Sequence, residues 1–350
     1  MGVRVMSQPF LQMLAPEARE LLLAAARPVS FVKGATLVRH GEPARGAFVL
    51  REGAAQARVP APGGDCFVVA SLAAGDIFGE MALVESGTCT ATVEATAHVD
   101  GWFLAQEDFR AVVAQRGAAA RELQHAVTLV LAARLRAVNE RLATLASPED
   151  RPARTAAPAP MAGVARLRRA PFDLPAFLPR LAFFDRFPAA EADEVLARAS
   201  VLEAPRGALL HAPGGEAGAV LVVARGAVEV LRPVDGRERR VAVLGPGKPL
   251  GHLGVLLGQA HGTWAFAREA STLLEIPAGA FRELYFGEAP VGSRLRSAVQ
   301  RSLLDALGRT NRALTRLAAH ARLADHAREA ARFEAAGAAQ LWSAGADAAG

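Results

Sequence analysis

The residues best suited to ligand chemistry lie in the run from Gly75 to Leu83 and in the following run from Ser86 to Val93. Gly79 has no side chain, so a ligand can approach its backbone closely. A short helix starting just after it would point free backbone N–H groups at an anion. The sequence contains no nucleophile motif, Walker loop or Rossmann fingerprint. These features predict a binding site and a protein that is not an enzyme.

These runs are similar to a known cassette. Its members here are Phe78, Gly79, Glu80, Met81, Ala82, Cys89, Thr90 and Ala91. Together they resemble the phosphate-binding cassette of cyclic-nucleotide-binding domains, the β-roll module of the catabolite activator and protein kinase A regulatory-subunit families. The resemblance implies that Glu80 accepts a hydrogen bond from a ribose hydroxyl and that Thr90 lines the phosphate.

The family's phosphate-neutralising arginine is replaced by Cys89. A thiol is one weak donor, whereas a guanidinium is a permanently charged fork. Losing such a pair costs about 2–5 kcal/mol, or roughly a 30- to 5000-fold loss in affinity. Cyclic AMP and cyclic GMP are the candidate ligands, with no other cofactor expected, and weak or absent binding is predicted. The alternative is that Arg45 or Arg58 reaches the phosphate.

The second half of the chain repeats the first. Glycines match at a shift of 173 residues and then, after a one-residue slip, at 172. The matched pairs are Gly34 with Gly207, Gly41 with Gly214, Gly53 with Gly226, Gly75 with Gly247, and Gly79 with Gly251. Tight turns between short strands need such residues. The sequence therefore predicts a duplicated domain.

The second cassette differs at both contact positions. Its members are Gly251, His252, Leu253, His261 and Gly262, with His252 at the glutamate position and His261 at the arginine position. The second cassette is predicted to be a degenerate pocket kept for its fold, because two histidines with no cysteine or carboxylate nearby are not a metal signature. The alternative is a His/His metal site or a pH-sensitive anion site, since imidazole changes charge easily. In either case, the second site is predicted to bind cyclic nucleotide more weakly than the first.

Each repeat is predicted to be α+β, an antiparallel, jelly-roll-like β-roll followed by a long α-helix. The predicted domains are residues 1–146 and 171–335, with a linker at 147–170 and a flexible tail at 336–350. The first long helix, predicted over 118–146, carries Leu131, Leu135, Val138, Leu142 and Leu145 on one seam. Its counterpart carries Leu303, Leu307, Leu314 and Leu317. The seams predict an internal pseudo-dimer, with a homodimer or packing of each helix on its own roll as alternatives.

The linker is rich in Ala, Pro and Arg, and its prolines exclude a continuous helix. Its basic run from Arg166 to Ala170 is predicted to be part of a solvated linker; the alternative is a pseudosubstrate, since the run resembles the Arg-Arg-x-Ala motif of kinase regulatory subunits. In the transcription factors of the resembled family, a helix-turn-helix domain follows the long helix. Only about 33 residues follow Leu317, so DNA binding is not expected.

Composition favours a cytoplasmic protein, and the family resemblance implies a regulatory one. Two cysteines suit a reducing compartment, and neither a signal peptide nor an 18-residue apolar span is predicted. Of 40 basic residues 38 are arginine, typical of codon bias, and the net charge of +5 is mild. We expect an adaptor that senses a cyclic nucleotide or other small anion and acts on an unknown partner protein. A ligand-free interaction scaffold is the alternative.

Overall fold

A computed structural model describes residues 9–60, 66–144, 151–152, 159–314 and 316–317 of this 350-residue chain. Two antiparallel β-rolls follow one another, and each is followed by a long helix. The predicted α+β class and tandem repeat are confirmed.

The first roll is built from two four-stranded sheets and a short strand pair, in the orders β1-β10-β4-β7, β2-β9-β5-β6 and β3-β8. The strands are β1 (Arg27–Phe31), β2 (Thr36–Val38), β3 (Pro43–Ala44), β4 (Gly46–Glu52), β5 (Ala54–Pro60), β6 (Cys66–Ala73), β7 (Ile77–Phe78), β8 (Gly87–Thr88), β9 (Thr92–Ala95) and β10 (Val99–Ala105). Buried residues such as Phe48, Leu50 and Val93 fill the space between the sheets.

The second roll has two five-stranded sheets, in the orders β12-β13-β20-β15-β18 and β11-β17-β16-β19-β14. Its strands are β11 (Arg151–Pro152), β12 (Ala165–Leu167), β13 (Ser200–Ala204), β14 (Leu209–His211), β15 (Ala219–Arg225), β16 (Val228–Val234), β17 (Arg237–Leu244), β18 (Pro249–Leu250), β19 (Trp264–Ala267) and β20 (Ser271–Pro277). Buried aliphatic residues, among them Leu202, Val223 and Leu273, form its core.

The two rolls share the same backbone conformation at matched glycines. Gly79 and Gly251, matched by the sequence shift, have φ angles of 76° and 78°. A Cβ atom would lie 2.6 Å from the carbonyl oxygen of Gly46 in the first roll and 2.6 Å from that of Ala219 in the second. Both positions therefore need glycine for conformation and for space.

The helices lie mainly between the rolls. The described ones are α1 (Pro16–Ala25), α2 (Met81–Val84), α3 (Gln106–Ala114), α4 (Ala118–Thr144), α5 (Leu174–Phe177), α6 (Ala189–Leu196), α7 (His252–Leu257), α8 (Ala278–Phe286) and α9 (290–314), with 3-10 turns at Phe10–Met13 and Leu178–Arg180. None of these helices is both long and apolar enough to cross a bilayer, within the ranges given above.

The long helices α4 and α9 share one core within the single chain. Leu131 and Leu135 of α4 and Leu303 and Leu307 of α9 are buried in the same hydrophobic cluster. Across the pair, Thr310 Oγ1 lies 3.3 Å from Asn139 Oδ1. Leu145, at the end of the predicted first seam, lies outside the described residues. This internal contact matches the predicted pseudo-dimer, while the oligomeric state in solution stays a prediction.

The predicted linker contains two short strands, β11 near its N-terminal end and β12 near its C-terminal end. Residues Ala165–Leu167 form β12, an edge strand that pairs with Val201–Glu203 of β13. The Arg166 guanidinium also forms an ion pair with Glu275 on β20. The sequence does not predict β12, because proline and alanine dominate the linker. Arg166 is therefore part of a sheet edge. Residues 147–150 and 153–158, and the predicted tail 336–350, lie outside the described part.

Candidate functional site

The first cassette is anchored to the roll by its aromatic residue. Phe78 on β7 stacks on Phe48 of β4 with ring centroids 5.0 Å apart, and both side chains are buried. Next in the chain come Gly79, Glu80 and the short helix α2. In α2, Ala82 is buried and Met81 half-buried against the core. The cassette is thus a rigid turn that places the Glu80 side chain inside the protein.

Glu80 is fully buried and faces the first long helix. Its Oε1 lies 3.1 Å from Nε of Arg134, on α4, in an ion pair. Arg134 also donates a hydrogen bond from Nη2 to the Ile77 carbonyl oxygen at 2.7 Å. Neither carboxylate oxygen accepts a well-aligned hydrogen bond from the described residues. A buried carboxylate with free acceptor capacity suits a ligand that offers hydroxyl donors.

Sequence reasoning missed Arg134. It lies on α4 between the seam leucines Leu131 and Leu135, where it belongs to neither the apolar seam nor the cassette motif. The available signal was a charged residue at the C-terminal end of the most apolar stretch of the predicted long helix, around Val127 to Leu135. Only the folded arrangement shows that this cation meets Glu80, 54 residues earlier in the chain.

Cys89 lies in a half-buried turn close to the side chain of Glu42. The Cys89 backbone N–H donates a hydrogen bond to the Glu42 backbone carbonyl oxygen at 2.8 Å, and the Gly41 N–H donates to the Cys89 backbone carbonyl oxygen at 2.9 Å. Burial, together with the Glu42 side chain, raises the pKa of the thiol, which therefore stays neutral at pH 7. Thr90 beside it is exposed and Ala91 is half-buried. This turn offers an anion a neutral thiol next to a negative charge.

Of the two alternative cations, Arg58 is engaged by a carboxylate on a neighbouring strand. Arg58 Nη1 lies 2.8 Å from Glu94 Oε2 on the neighbouring strand β9, in a partly exposed ion pair. Arg45 is exposed at the start of β4, and its carbonyl oxygen accepts a hydrogen bond from Gln106 N–H. Arg58 is thus engaged elsewhere, and the electrostatics of the turn oppose a phosphate.

The second cassette has the same backbone with different side chains. His252 begins α7 at the position of Glu80; it is buried, and neither ring nitrogen has a hydrogen-bond partner among the described residues. Burial lowers its pKa to about 4, so the ring is neutral at pH 7. Leu253 is half-buried against the core, and Gly262 is exposed. The buried carboxylate of the first cassette is here replaced by a neutral ring.

His261 stacks on a third histidine. The rings of His261 and His211 are nearly parallel, with centroids 3.9 Å apart, and His211 Nε2 lies 3.2 Å from Thr263 Oγ1. Burial and the neighbouring His261 lower the pKa of His211 to about 3, and burial lowers the pKa of His261. Within the described ranges, no group of three or more His, Cys, Asp or Glu side chains is arranged to hold a metal ion.

Helix α4 touches both rolls close to their cassettes. Arg141 Nη1 donates to the Val69 oxygen of the first roll at 2.7 Å. Arg136 Nη1 donates to Gln259 Oε1, two residues after α7, at 2.6 Å. Glu140 Oε1 lies 3.3 Å from Arg232 Nη2 on β16. One helix therefore connects Glu80 with the edge of the second cassette.

Comparison with known sequences identifies both rolls. The family described as "Cyclic nucleotide-binding domain" matches residues 28–116 and 201–287, together half of the chain. The "CRP-like cAMP-activated global transcriptional regulator" of Mycobacterium tuberculosis (strain CDC 1551 / Oshkosh) is 28% identical over 134 residues. That match covers 38% of this chain and 58% of the length of the regulator.

Solved structures with similar folds include two kinds of protein. The regulatory domain of Toxoplasma gondii PKA with cAMP is 17% identical, with a TM-score of 0.31, and the match covers 85% of this chain and 92% of that one. The Thermus thermophilus catabolite activator protein is 24% identical, with a TM-score of 0.34, covering 39% and 68%.

Proposed function

This chain belongs to the cyclic nucleotide-binding domain family, and we propose that it is a non-enzymatic regulatory protein in which α4 responds to ligand at the first cassette. Both rolls keep the family's fold, and one of them keeps its glutamate. The proposed output is a movement of α4 that a partner protein detects.

The ion pair between Glu80 and Arg134 carries this proposal. In the described state the carboxylate is buried and Arg134 balances its charge. A ligand hydroxyl that hydrogen-bonds to Glu80 would compete with Arg134 for the same oxygen atoms. Since Arg134 belongs to α4, any change in the pair acts on the helix. Ligand binding and helix position are then coupled, as a two-state switch requires.

The contacts of α4 with the second roll supply a route for this change. Arg136 is two residues from Arg134 and holds Gln259, while Glu140 pairs with Arg232. A shift of α4 at Glu80 would strain these contacts. The second roll would then respond to ligand bound at the first cassette. This role does not require the second cassette to bind ligand itself, in keeping with the histidines at its two contact positions.

The ligand of the first site is proposed to be a cyclic nucleotide held weakly. Glu80 supplies an acceptor for hydroxyl groups, but the thiol at Cys89 lies near Glu42 and cannot balance a phosphate. We propose that this protein works in the reducing cytoplasm, in keeping with Cys66 and Cys89, which form no disulfide in the structure.

A ligand-free interaction scaffold is the second candidate. The observation in its favour is the same turn at Cys89, where a carboxylate lies beside the position of the family's arginine. In that case, the pair of Glu80 and Arg134 is permanent, and it simply fixes α4 on the roll.

Hydrogen exchange of α4 separates the two candidates. Cys89→Arg, which is expected to bind, is compared with the wild type with and without cAMP or cGMP, and Cys89→Arg/Arg134→Gln serves as the variant in which the coupling is removed. The regulatory proposal expects ligand to change the exchange of amides around Arg134 in Cys89→Arg, and to change it much less in Cys89→Arg/Arg134→Gln and in the weakly binding wild type. Ligand bound to Cys89→Arg with no change in α4 would favour the scaffold.

A further inference from the structure

A cavity of about 360 Å³ lies between the two repeats and borders the short helix α2, which follows Glu80. The first repeat contributes Leu83 and Val84 of α2, Phe109 of α3 and Gln124 of α4. The second repeat contributes Ser293, Ser297 and Gln300 of α9. The volume falls within the range typical of small-molecule sites.

Five arginines surround this cavity, namely Arg110, Arg116, Arg186, Arg294 and Arg301. Arg186, Arg294 and Arg301 each have a carboxylate nearby. The paired atoms of Arg186 and Glu85 are 3.5 Å apart, those of Arg294 and Glu191 3.6 Å apart, and those of Arg301 and Asp185 2.9 Å apart.

The other two guanidinium groups are unbalanced. Neither Arg110 nor Arg116 has a carboxylate within ion-pair distance in the described part of the chain, and both are exposed at the cavity rim. Five positive charges thus face three negative ones. In addition, burial lowers the pKa of the Arg301 guanidinium; Arg186 and Arg294 lower it further, while Asp185 and Glu85 raise it. An anion would relieve this repulsion between like charges.

The backbone at Arg116 supports the same interpretation. Its φ angle is 55°, in the left-handed region, where α3 ends and the chain turns toward α4. Such a position after a helix usually holds glycine. Arginine is disfavoured at such a φ angle, so the backbone conformation gives no reason for an arginine at this position.

We propose that this cavity binds a small phosphate-bearing polyanion, held by guanidinium groups from both repeats. Arginine forks match phosphate oxygens in paired hydrogen bonds. Ser293, Ser297 and Gln300 add uncharged donors, and Leu83 and Phe109 form an apolar side. A bound anion would join α3 of the first repeat to α9 of the second. It would also contact α2, the helix that follows Glu80.

Calorimetry with pyrophosphate, in the full chain, tests this proposal. The test variant is Arg110→Gln/Arg116→Gln, whose two side chains are exposed and unpaired, so the fold is kept. The matched control is Arg206→Gln/Arg268→Gln, which removes the same charge from exposed turns of the second roll. We expect pyrophosphate to bind the wild type and the control alike, and binding to the test variant to be weaker by about tenfold or more.

Two results would overturn the proposal. One is no pyrophosphate binding to the wild type at low salt; the other is an equal loss in both double variants, which would indicate unspecific attraction by net charge. Pyrophosphate has no ribose hydroxyl from which Glu80 could accept a hydrogen bond, so the experiment does not depend on whether the cassette binds a cyclic nucleotide.

Discussion

Gln124 and Arg296 occupy the same position in the two repeats, 172 residues apart, and they also contact each other. Arg296 Nε donates a hydrogen bond to Gln124 Oε1 at 2.8 Å, and both side chains are buried. Gln300 Nε2 donates to the Gln124 backbone oxygen at 2.9 Å. A contact between equivalent residues marks a pseudo-twofold axis. The repeats therefore pack as the subunits of a symmetric dimer do, within one chain.

Replacing Gln124 by leucine should destabilise the junction. Arg296 would lose a buried acceptor and keep its bond to the Tyr285 backbone oxygen. We expect the free energy of unfolding to fall by about 1–3 kcal/mol, as for other unsatisfied buried polar groups. Urea unfolding measures it, with the exposed Gln115→Leu as a control that changes stability by less than about 0.5 kcal/mol. Equal effects of the two substitutions would mean that the contact contributes nothing.

The internal pairing of α4 with α9 predicts the mass in solution. Light scattering should give a monomer of 36.6 kDa for the wild type. Leu135→Asp/Leu142→Asp places one charge in the shared core, at Leu135, and a second at the buried Leu142, so this variant should lose several kcal/mol of stability, about 4 kcal/mol or more. A wild-type species of about twice that mass that falls to monomer in the variant would instead indicate pairing between chains.

Replacing Arg134 should lower the free energy of unfolding more than replacing an exposed arginine does. In Arg134→Gln the buried Glu80 carboxylate loses its only described cation. We expect the free energy of unfolding to fall by about 2–3 kcal/mol, which is below the roughly 3–5 kcal/mol for a fully buried pair, because Arg134 is 27% exposed. Thermal and urea unfolding are compared with Arg312→Gln on α9, which is exposed. Adding Glu80→Gln should recover part of the loss, and a purely additive double variant would argue against the pair.

Acid should destabilise the second roll through its histidines. The folded pKa values of about 4 for His252 and about 3 for His211 lie below the ordinary 6.5, so the unfolded chain binds more protons between pH 6.5 and 4. Stability is therefore complete above about pH 6.5 and falls as the pH drops, by about 1.4 kcal/mol per pH unit for each such group.

His252→Leu tests this pH dependence, since the leucine has no nitrogen to protonate. Urea unfolding of the variant should show a shallower loss between pH 6.5 and 4, while the exposed His40→Gln should follow the wild type. Parallel pH curves for wild type and His252→Leu would show that His252 is not buried in its neutral form.

The sequence predicts the rolls and helices well because their signals are local. Turn glycines such as Gly79 and Gly251 indicate where short strands end, and the spacing of Leu131 and Leu135 indicates an apolar seam along a helix. Strand β12 escapes prediction, since three edge residues in a proline-rich run carry no periodic pattern. Arg134 and the pair of Gln124 with Arg296 also escape, because their partners are distant in sequence and only tertiary packing brings them together.

The central claim is that the first cassette keeps its acceptor, Glu80, but has lost its phosphate contact at Cys89. Calorimetry with cAMP and cGMP on wild type, Cys89→Arg and Cys89→Arg/Glu80→Gln tests it most directly. We predict weak or undetectable binding to the wild type, tightening by about 30-fold or more in Cys89→Arg, and renewed loss when Glu80 is also changed. Submicromolar binding of cAMP to the wild type, or no gain in Cys89→Arg, would contradict it.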